Sequence, residues 1–239
     1  MSAEMKPLPL TLVVAATPSN AIGRASSLPW RLPKEMAYFA RMTKGEDSPK
    51  KNGRNAVVMG RKSWDGIPTK FRPLVDRVNV VVSRQEGYDL GIASHTHLVD
   101  SLPSAAQLLR SLPTRANGSS PAGNDDAPLP LNRAFLIGGA QLYSLGLSAA
   151  TSLSTPSSPY IVDRILLTRL FTEYPDCDTF LHDFASDTDP EGRRIWRQAS
   201  HQDLRDWAGW DVPEGRQTER DRLSKEDKMV EYEFQMWVR

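Results

Sequence analysis

Cysteine is nearly absent: Cys177 is the single one in 239 residues. That rules out an intramolecular disulfide and points to a reducing compartment, with the cytoplasm as the default. No apolar run approaches the length of a membrane span. Residues 1–6 lack a charged region followed by a hydrophobic stretch, so no secretory signal is expected. Formal charge is only +1 and the basic residues form no tract, which argues against binding along a nucleic-acid backbone. There is no internal repeat, no Gly-x-Ser-x-Gly elbow, and no Gly-x-Gly-x-x-Gly after the first strand-like segment. His95 and His97 have a spacing seen at metal sites, but no Cys, Asp or Glu clusters with them, so they read as surface loop. Cys177, between Asp176 and Asp178, sits in a poor setting for a thiolate nucleophile.

What is present is an alternation of buried strands and helices. The run 10–16 is short, continuous and apolar, as in a strand covered on both faces. Similar strands are predicted at 56–59, 77–83, 134–137 and 163–170, with weaker ones at 98–99 and 179–181. Residues 101–112 form an amphipathic helix with Leu102, Ala105, Ala106 and Leu109 as its apolar stripe and Ser101 as its cap. Residues 230–239 alternate for ten positions, the mark of a half-exposed strand. The polar stretch 45–55 reads as a surface loop. Residues 113–131 and 149–159, rich in Pro, Gly, Asn, Ser and Thr, read as flexible insertions. Early strands alternating with helices imply parallel pairing, and the strand-rich tail implies antiparallel edges. One α/β domain with a mixed sheet is the expectation.

Four stretches can carry chemistry. In Leu28-Pro29-Trp30-Arg31-Leu32-Pro33-Lys34-Glu35-Met36, Pro33 suits the first turn of a helix. Glu35, Phe39 and Met42 then share one face, with Met36 and Ala40 beside them. A carboxylate among apolar side chains stays ionised only if something donates to it, and a cationic or amidine-like ligand is such a donor. A first-turn acid complementing the helix dipole is the alternative. Met59-Gly60-Arg61-Lys62-Ser63-Trp64 and Ile137-Gly138-Gly139-Ala140-Gln141 each run from strand through glycine into helix. Helix N-termini of this kind hold phosphates, although glycine also simply makes tight turns. Two of them in one sheet suggest a pyrophosphate. Ser83-Arg84 comes immediately after the valine-rich run 78–82 of the third strand and suits a phosphate monoester, or merely ends the strand. Arg77 is placed to pair with a substrate carboxylate, or with Asp76.

Taken in order, these segments resemble the dihydrofolate reductase family: Val13-Val14-Ala15-Ala16, Asn20-Ala21-Ile22-Gly23, Leu28-Pro29-Trp30, Glu35 with Phe39, Val58 to Trp64, Ile67-Pro68, Arg72-Pro73-Leu74, Arg77, Ser83-Arg84, Ile137-Gly138-Gly139, Tyr143 and Thr168. Each piece alone is unspecific; the ordered set spans nearly the whole chain and is specific. It selects the ligand-binding reading of Glu35 over the dipole one.

The resemblance implies a single α/β domain with a central eight-stranded, mixed and mostly parallel sheet and flanking helices. It implies an NADPH-dependent oxidoreductase that reduces 7,8-dihydrofolate to tetrahydrofolate, supplies one-carbon and thymidylate metabolism, and is a target of antifolate inhibitors. A cytoplasmic monomer without a metal, a membrane or an obligatory nucleic-acid partner is expected. By that likeness the catalytic group is Glu35, Trp30, Thr168 and Leu28. Glu35 would pair with the pterin's 2-amino group and ring nitrogen, with Thr168 in support, and promote protonation of N5 through water. Leu28 would lie in the mobile loop that closes over the nicotinamide. Substrate contacts would come from Val14, Glu35, Met36, Phe39, Ala40, Ile67, Leu74, Ile137 and Tyr143, with Arg77 taking the glutamate α-carboxylate. Cofactor contacts would come from Ala15, Ala21, Ile22, Gly23, Ser27, Gly60, Arg61, Lys62, Ser63, Ser83, Arg84 and Gln85. The run Ile137, Gly138, Gly139, Ala140, Gln141, Leu142 and Tyr143 completes that set, the positive charges selecting the 2′-phosphate.

Some positions depart from the commonest pattern: Met36 where many animal members have an aromatic, Ser63 where Thr is usual, and Gly66 where Ser is frequent. Glu rather than Asp at position 35 resembles the eukaryotic branch. The chain ends soon after its last strand, which would leave no room for the thymidylate synthase half of bifunctional relatives. A related pterin or pyrimidine reductase, or a non-catalytic NADPH- or RNA-binding paralogue, are the alternatives. Neither binding role needs a buried acid, so intact Glu35, Trp30 and Thr168 argue against them.

Overall fold

Strand alternation splits the core of this protein into two layers, one on each face of a single large sheet. The computed structural model describes residues 6–45, 53–91, 95–113, 130–151 and 158–239. In β1 (Leu8–Ala16) the residues Leu10, Leu12, Val14 and Ala16 point to one layer and Val13 to the other. β3 (Arg54–Gly60) does the same with Ala56 and Val58 against Val57 and Met59. So do β4 (Arg77–Val82), β6 (Leu131–Leu136) and β7 (Tyr160–Leu170). A strand buried on both faces carries apolar side chains in both directions, hence the continuous apolar runs.

The strand order is β10-β11-β7-β1-β6-β3-β4-β5, with the short β9 (Arg197–Gln198) pairing β11 off this path. β5 (Thr96–Val99) closes one edge, and β10 (Gln217–Arg220) and β11 (Met229–Val238) the other. Pairings from β7 across to β5 are parallel, while β11 runs antiparallel to both β7 and β10. The expected eight mixed strands are therefore present as the main path, with β9 as a ninth. β11 buries Val230, Tyr232, Phe234 and Met236 on one face, the half-exposed pattern its alternation predicts. A separate two-stranded ribbon pairs β2 (Ala21–Gly23) with β8 (Thr179–Phe180).

The helices α1 (Pro33–Lys44) and α2 (Arg61–Gly66) cover one layer, through Tyr38, Met42 and Trp64. The helices α3 (Leu102–Ser111) and α4 (Ala140–Thr151) cover the other, through Leu102, Leu109, Leu142 and Leu147. Ser101 caps α3 by accepting from the Ser104 N–H at 3.3 Å. A fifth helix, α5 (His201–Ala208), adds Leu204 to the first layer and is closed by a Ser200/Asp203 capping box. The neighbours β1 and β6 thus send their following helices to opposite faces. Where two adjacent connections diverge a crevice opens at the carboxyl ends of the strands, which is where ligands bind in such sheets.

Several boundaries differ from those predicted. Arg54 and Asn55 belong to β3 rather than to the preceding loop, because their backbones pair with β6 and β4. His97 is a strand residue, not loop: β5 begins at Thr96, and His97 stands opposite Val80 of β4. β6 and β7 each begin three residues earlier than predicted: β6 because its pairing continues past the last buried side chain, β7 because Tyr160 and Val162 are themselves buried and pair with β1. α4 continues to Thr151, into the segment read as an insertion.

Most of the two insertions, 114–129 and 152–157, lies outside the described residues. The flanks of the first are joined, the Leu131 N–H donating to the Pro113 carbonyl at 2.7 Å. They meet at the amino end of β6, the end opposite Gly138 and Gly139. Replacing 117–127 by a short Gly-Ser link is therefore expected to leave kcat/KM unchanged and to shift stability by little, since closure entropy varies by about 0.6 kcal/mol per doubling of loop length. Comparing kcat/KM and thermal midpoint checks this; a large fall in kcat/KM at constant midpoint would place the insertion at the site.

Candidate active site

A cavity of about 1900 Å³ opens in the crevice at the carboxyl ends of β1, β3, β4 and β6. A drug-sized ligand occupies roughly 300–1,000 Å³, so this space suits two ligands side by side. Every residue expected at the site lies on its wall except Ala21 and Thr168. Ala21 is buried in the β2–β8 ribbon behind the wall, and Thr168 stands behind Glu35.

Glu35 is the one carboxylate deep in the apolar part of the cavity, 6 % exposed in the first turn of α1. Thr168, which stands beside Ala15 of β1 and Phe234 of β11 in the sheet, donates its hydroxyl to Glu35 Oε1 at 3.0 Å. No cation pairs with Glu35 among the described residues. Burial pushes its carboxyl up to about 7 from 4.5, against the pull of the Thr168 hydrogen bond and helped by the nearby Glu219 charge. It therefore holds or releases a proton near neutrality, as a general acid–base group requires.

Around it, Trp30 is 2 % exposed and lies against the ring of Tyr174 at 5.1 Å. Its buried indole N–H has no acceptor among the described residues, which leaves a donor for a ligand or water. Met36, Phe39, Ile67 and Leu74 form the apolar walls, and Leu28 stands exposed at the rim. The loop before Leu28 is held by the 176–179 segment, Asp178 accepting from the Ala25 N–H at 2.9 Å and Asp176 pairing with Arg24 at 3.4 Å.

At the far end of this apolar slot Arg77 is buried, its guanidinium donating to Thr43 Oγ1 at 2.6 Å and to the Val75 carbonyl at 3.1 Å. Burial brings it down to about 10, so it is a cation at neutral pH. Asp76 does not take it: that carboxylate pairs with Lys44 at 2.7 Å. Among the described residues no ion pair takes this buried guanidinium, which leaves its N–H donors for a ligand carboxylate.

The other half of the cavity is glycine, hydroxyl and cation. Gly60 and Gly138 are tied by a 2.7 Å backbone bond, Gly60 N–H to Gly138 carbonyl. Gly138 has φ +121°, and a side chain there would meet Ser63 Oγ and Tyr143 Oη at 3.3 Å, so only glycine leaves this cradle open. Tyr143 in turn donates to the Val13 carbonyl at 2.7 Å, locking α4 to β1. Arg61 is committed elsewhere, pairing with Asp65 at 3.4 Å beside the Tyr88 ring. Lys62 and Arg84 are exposed on the wall with no ion pair among the described residues. Of the cations expected there, those two are the free ones. Gly66 has a local reason as well: a side chain there would come within 3.2 Å of the Ser26 carbonyl, so the loop crowds out the serine frequent elsewhere.

One functional neighbourhood was missed. Glu219 on β10 accepts from the Lys34 and Glu35 backbone N–H groups at 2.9 and 3.0 Å. Asp221 accepts from the Arg31 N–H at 2.9 Å and from Tyr174 Oη at 2.8 Å. Leu223 beyond them reaches the cavity wall. The only signal was a pair of acids at i and i+2 in a polar stretch, which usually means solvent.

Residues 9–203 match the family model described as dihydrofolate reductase. A dihydrofolate reductase of Cryptococcus neoformans var. neoformans is 44 % identical over 239 residues, covering 96 % of this chain and 94 % of that one. That of Pneumocystis carinii is 38 % identical over 231 residues, 96 % of each chain. That of Schizosaccharomyces pombe is 31 % identical over 238 residues but is longer, the match covering 47 % of it. With the ordered motifs now gathered round one cavity and these matches running almost end to end, the chain belongs to the dihydrofolate reductase family.

Proposed function

We propose that this chain reduces 7,8-dihydrofolate to 5,6,7,8-tetrahydrofolate with NADPH, as a monomeric, single-domain cytoplasmic enzyme open to antifolate inhibitors. The observation that carries the reading is the placement of Glu35. It is a buried carboxyl without a cation, backed by Thr168, and it faces an apolar slot that ends in the unpaired Arg77. A pterin offers an amidine-like edge to the acid, an aromatic body to Phe39 and Ile67, and a glutamate carboxylate to Arg77. No helix among the described residues is long and apolar enough to cross a membrane.

The residues on the other wall fit a phosphorylated dinucleotide. The Gly60–Gly138 cradle admits a ligand against the backbone, Ser63 and the start of α4 supply donors, and Lys62 and Arg84 supply free charge. When bound, NADPH supplies a hydride. Glu35 orients the pterin and holds a proton for N5 near neutrality, with the Trp30 indole N–H as a second donor to the same region. Phe39, Ile67 and the rim residue Leu28 exclude bulk water from that end of the slot.

Mixing the protein with dihydrofolate and NADPH and following loss of reduced-nicotinamide absorbance tests the proposal; no turnover would refute it. Cofactor choice tests the second wall separately. Arg84→Ala is expected to raise the KM for NADPH roughly 10–150-fold, the size of one charge-assisted contact, and to leave that for NADH nearly unchanged. Equal weakening of both would make Arg84 structural.

A further inference from the structure

The first turn of α1 has no cap of its own. Leu32 stands at the cap position and offers no side-chain acceptor. The orphan N–H groups of Lys34 and Glu35 are instead taken by the two oxygens of Glu219, Oε2 at 2.9 Å and Oε1 at 3.0 Å. Tyr232 on β11 adds a third donor, its hydroxyl reaching Oε1 at 2.9 Å. Glu219 is 7 % exposed, and no cation pairs with it among the described residues. Its donors are thus all neutral, and its charge is not cancelled locally.

We infer that Glu219 is a positioning residue for Glu35, fixing from the far edge of the sheet the helical turn that carries it. This rests on the proposed role of Glu35 in proton delivery.

A simple N-cap would be local in sequence, a Ser or Asp just before the helix. Here the cap comes from β10, 184 residues further along the chain, and it holds the backbone N–H of the acid itself. Asp221, on the same side two residues on, pins Arg31 in the same way, so the segment 31–35 is fastened at both ends to one edge of the sheet. The other titratable groups against Glu35 are Tyr38 on α1, Tyr143 on α4 and Tyr232 on β11. Burial drives all three hydroxyls upward, so they stay neutral across the working pH range. From β7, Thr168 contributes only an uncharged donor. Glu219 is therefore the neighbouring charge that can move Glu35, and burial remains the larger influence on it.

The test compares wild type, Glu219→Gln and Glu219→Asp by the pH profile of kcat/KM. It also uses carbon-13 NMR of glutamate-labelled protein, with Glu35 assigned by its loss in Glu35→Gln. Activity should fall as pH rises through the Glu35 value, because the protonated free enzyme is the productive one. Glu219→Gln should move that fall and the Glu35 titration to lower pH by about 0.5–1 unit, while Glu219→Asp, which keeps the charge, should hold both near wild type. An unmoved profile and titration with a lowered thermal midpoint would make Glu219 a support of the fold without effect on Glu35 and overturn the inference. If Glu219→Gln does not fold, Glu219→Ala, which also removes the charge, is read by the same two measures, and a Glu35 titration that stays at the wild-type position refutes the coupling. If wild type does not reduce dihydrofolate the functional reading fails, while the NMR titration still judges the coupling on its own.

Discussion

Glu35→Gln is expected to fold, to lose roughly 10²–10⁴-fold in turnover with dihydrofolate, and to be more heat-stable than the parent above neutral pH. The two halves of that result have one cause. Glutamine can still accept from Thr168, but it offers no charge to the amidine edge of the pterin and no proton to N5. It also removes a buried carboxylate. Burial holds the Glu35 carboxyl at about 7, whereas the unfolded chain releases the same proton near 4.5. Between these values the unfolded state binds fewer protons than the folded one, so stability falls as pH rises. Above about 7 the whole penalty is present, about 3 kcal/mol for a shift of this size. Below about 4.5 it vanishes, because both states are protonated. The midpoint of the ligand-free variant should thus exceed the parent's by about 5–10 °C at pH 8 and match it near pH 4. Thermal scans across that range, with turnover at each pH, check both halves. Turnover within a few-fold of the parent would remove Glu35 from the chemistry.

Legibility in the sequence followed burial. The runs at 10–16, 56–59 and 165–167 are apolar almost throughout because both faces of β1, β3 and β7 are covered there. Glu35 and Gly138-Gly139 were legible through the ordered set of motifs and not singly, since a first-turn acid also suits the helix dipole and paired glycines also simply make a tight turn. Edges were harder. His97 and Thr96 look like loop residues, yet they pair with β4. β10 reads Gln-Thr-Glu-Arg and buries only Glu219, so its strand character comes from its partner β11 and not from its own composition. The same residues 217–220 lie beyond the stretch that matches the family model. Arg61 shows the reverse limit. Its place beside Lys62 suggested a phosphate ligand, while its actual partner Asp65, one helical turn on, was equally visible at i+4. Spacing alone gives two partners; only the fold decides between them.

Gly138→Ala is expected to damage the cofactor wall and the fold together, and comparison with Gly139→Ala separates the two effects. Gly138 has φ +121°, where an L-residue is strained by about 1–3 kcal/mol. Its added methyl would also press on Ser63 Oγ and Tyr143 Oη at 3.3 Å. The Ser63 hydroxyl can turn aside, but Tyr143 cannot yield freely, being buried and tied to Val13. Relief would have to come from the backbone, loosening the 2.7 Å bond between the Gly60 N–H and the Gly138 carbonyl that joins the two glycine turns. A shift of about 1 Å in a positioning element can cost about 10²-fold in rate. Gly138→Ala should therefore lower kcat/KM for NADPH about 10²-fold and the thermal midpoint by about 5–10 °C. Gly139 lacks the positive φ, and a methyl there meets only Ser63 Oγ, also at 3.3 Å. Gly139→Ala should accordingly weaken NADPH through the displaced Ser63 hydroxyl while leaving the midpoint within about 2 °C of the parent. Measured cofactor affinity and midpoint for both variants check this contrast. A Gly138→Ala protein as stable and as active as the parent would show that the cradle between β3 and β6 does not hold the dinucleotide.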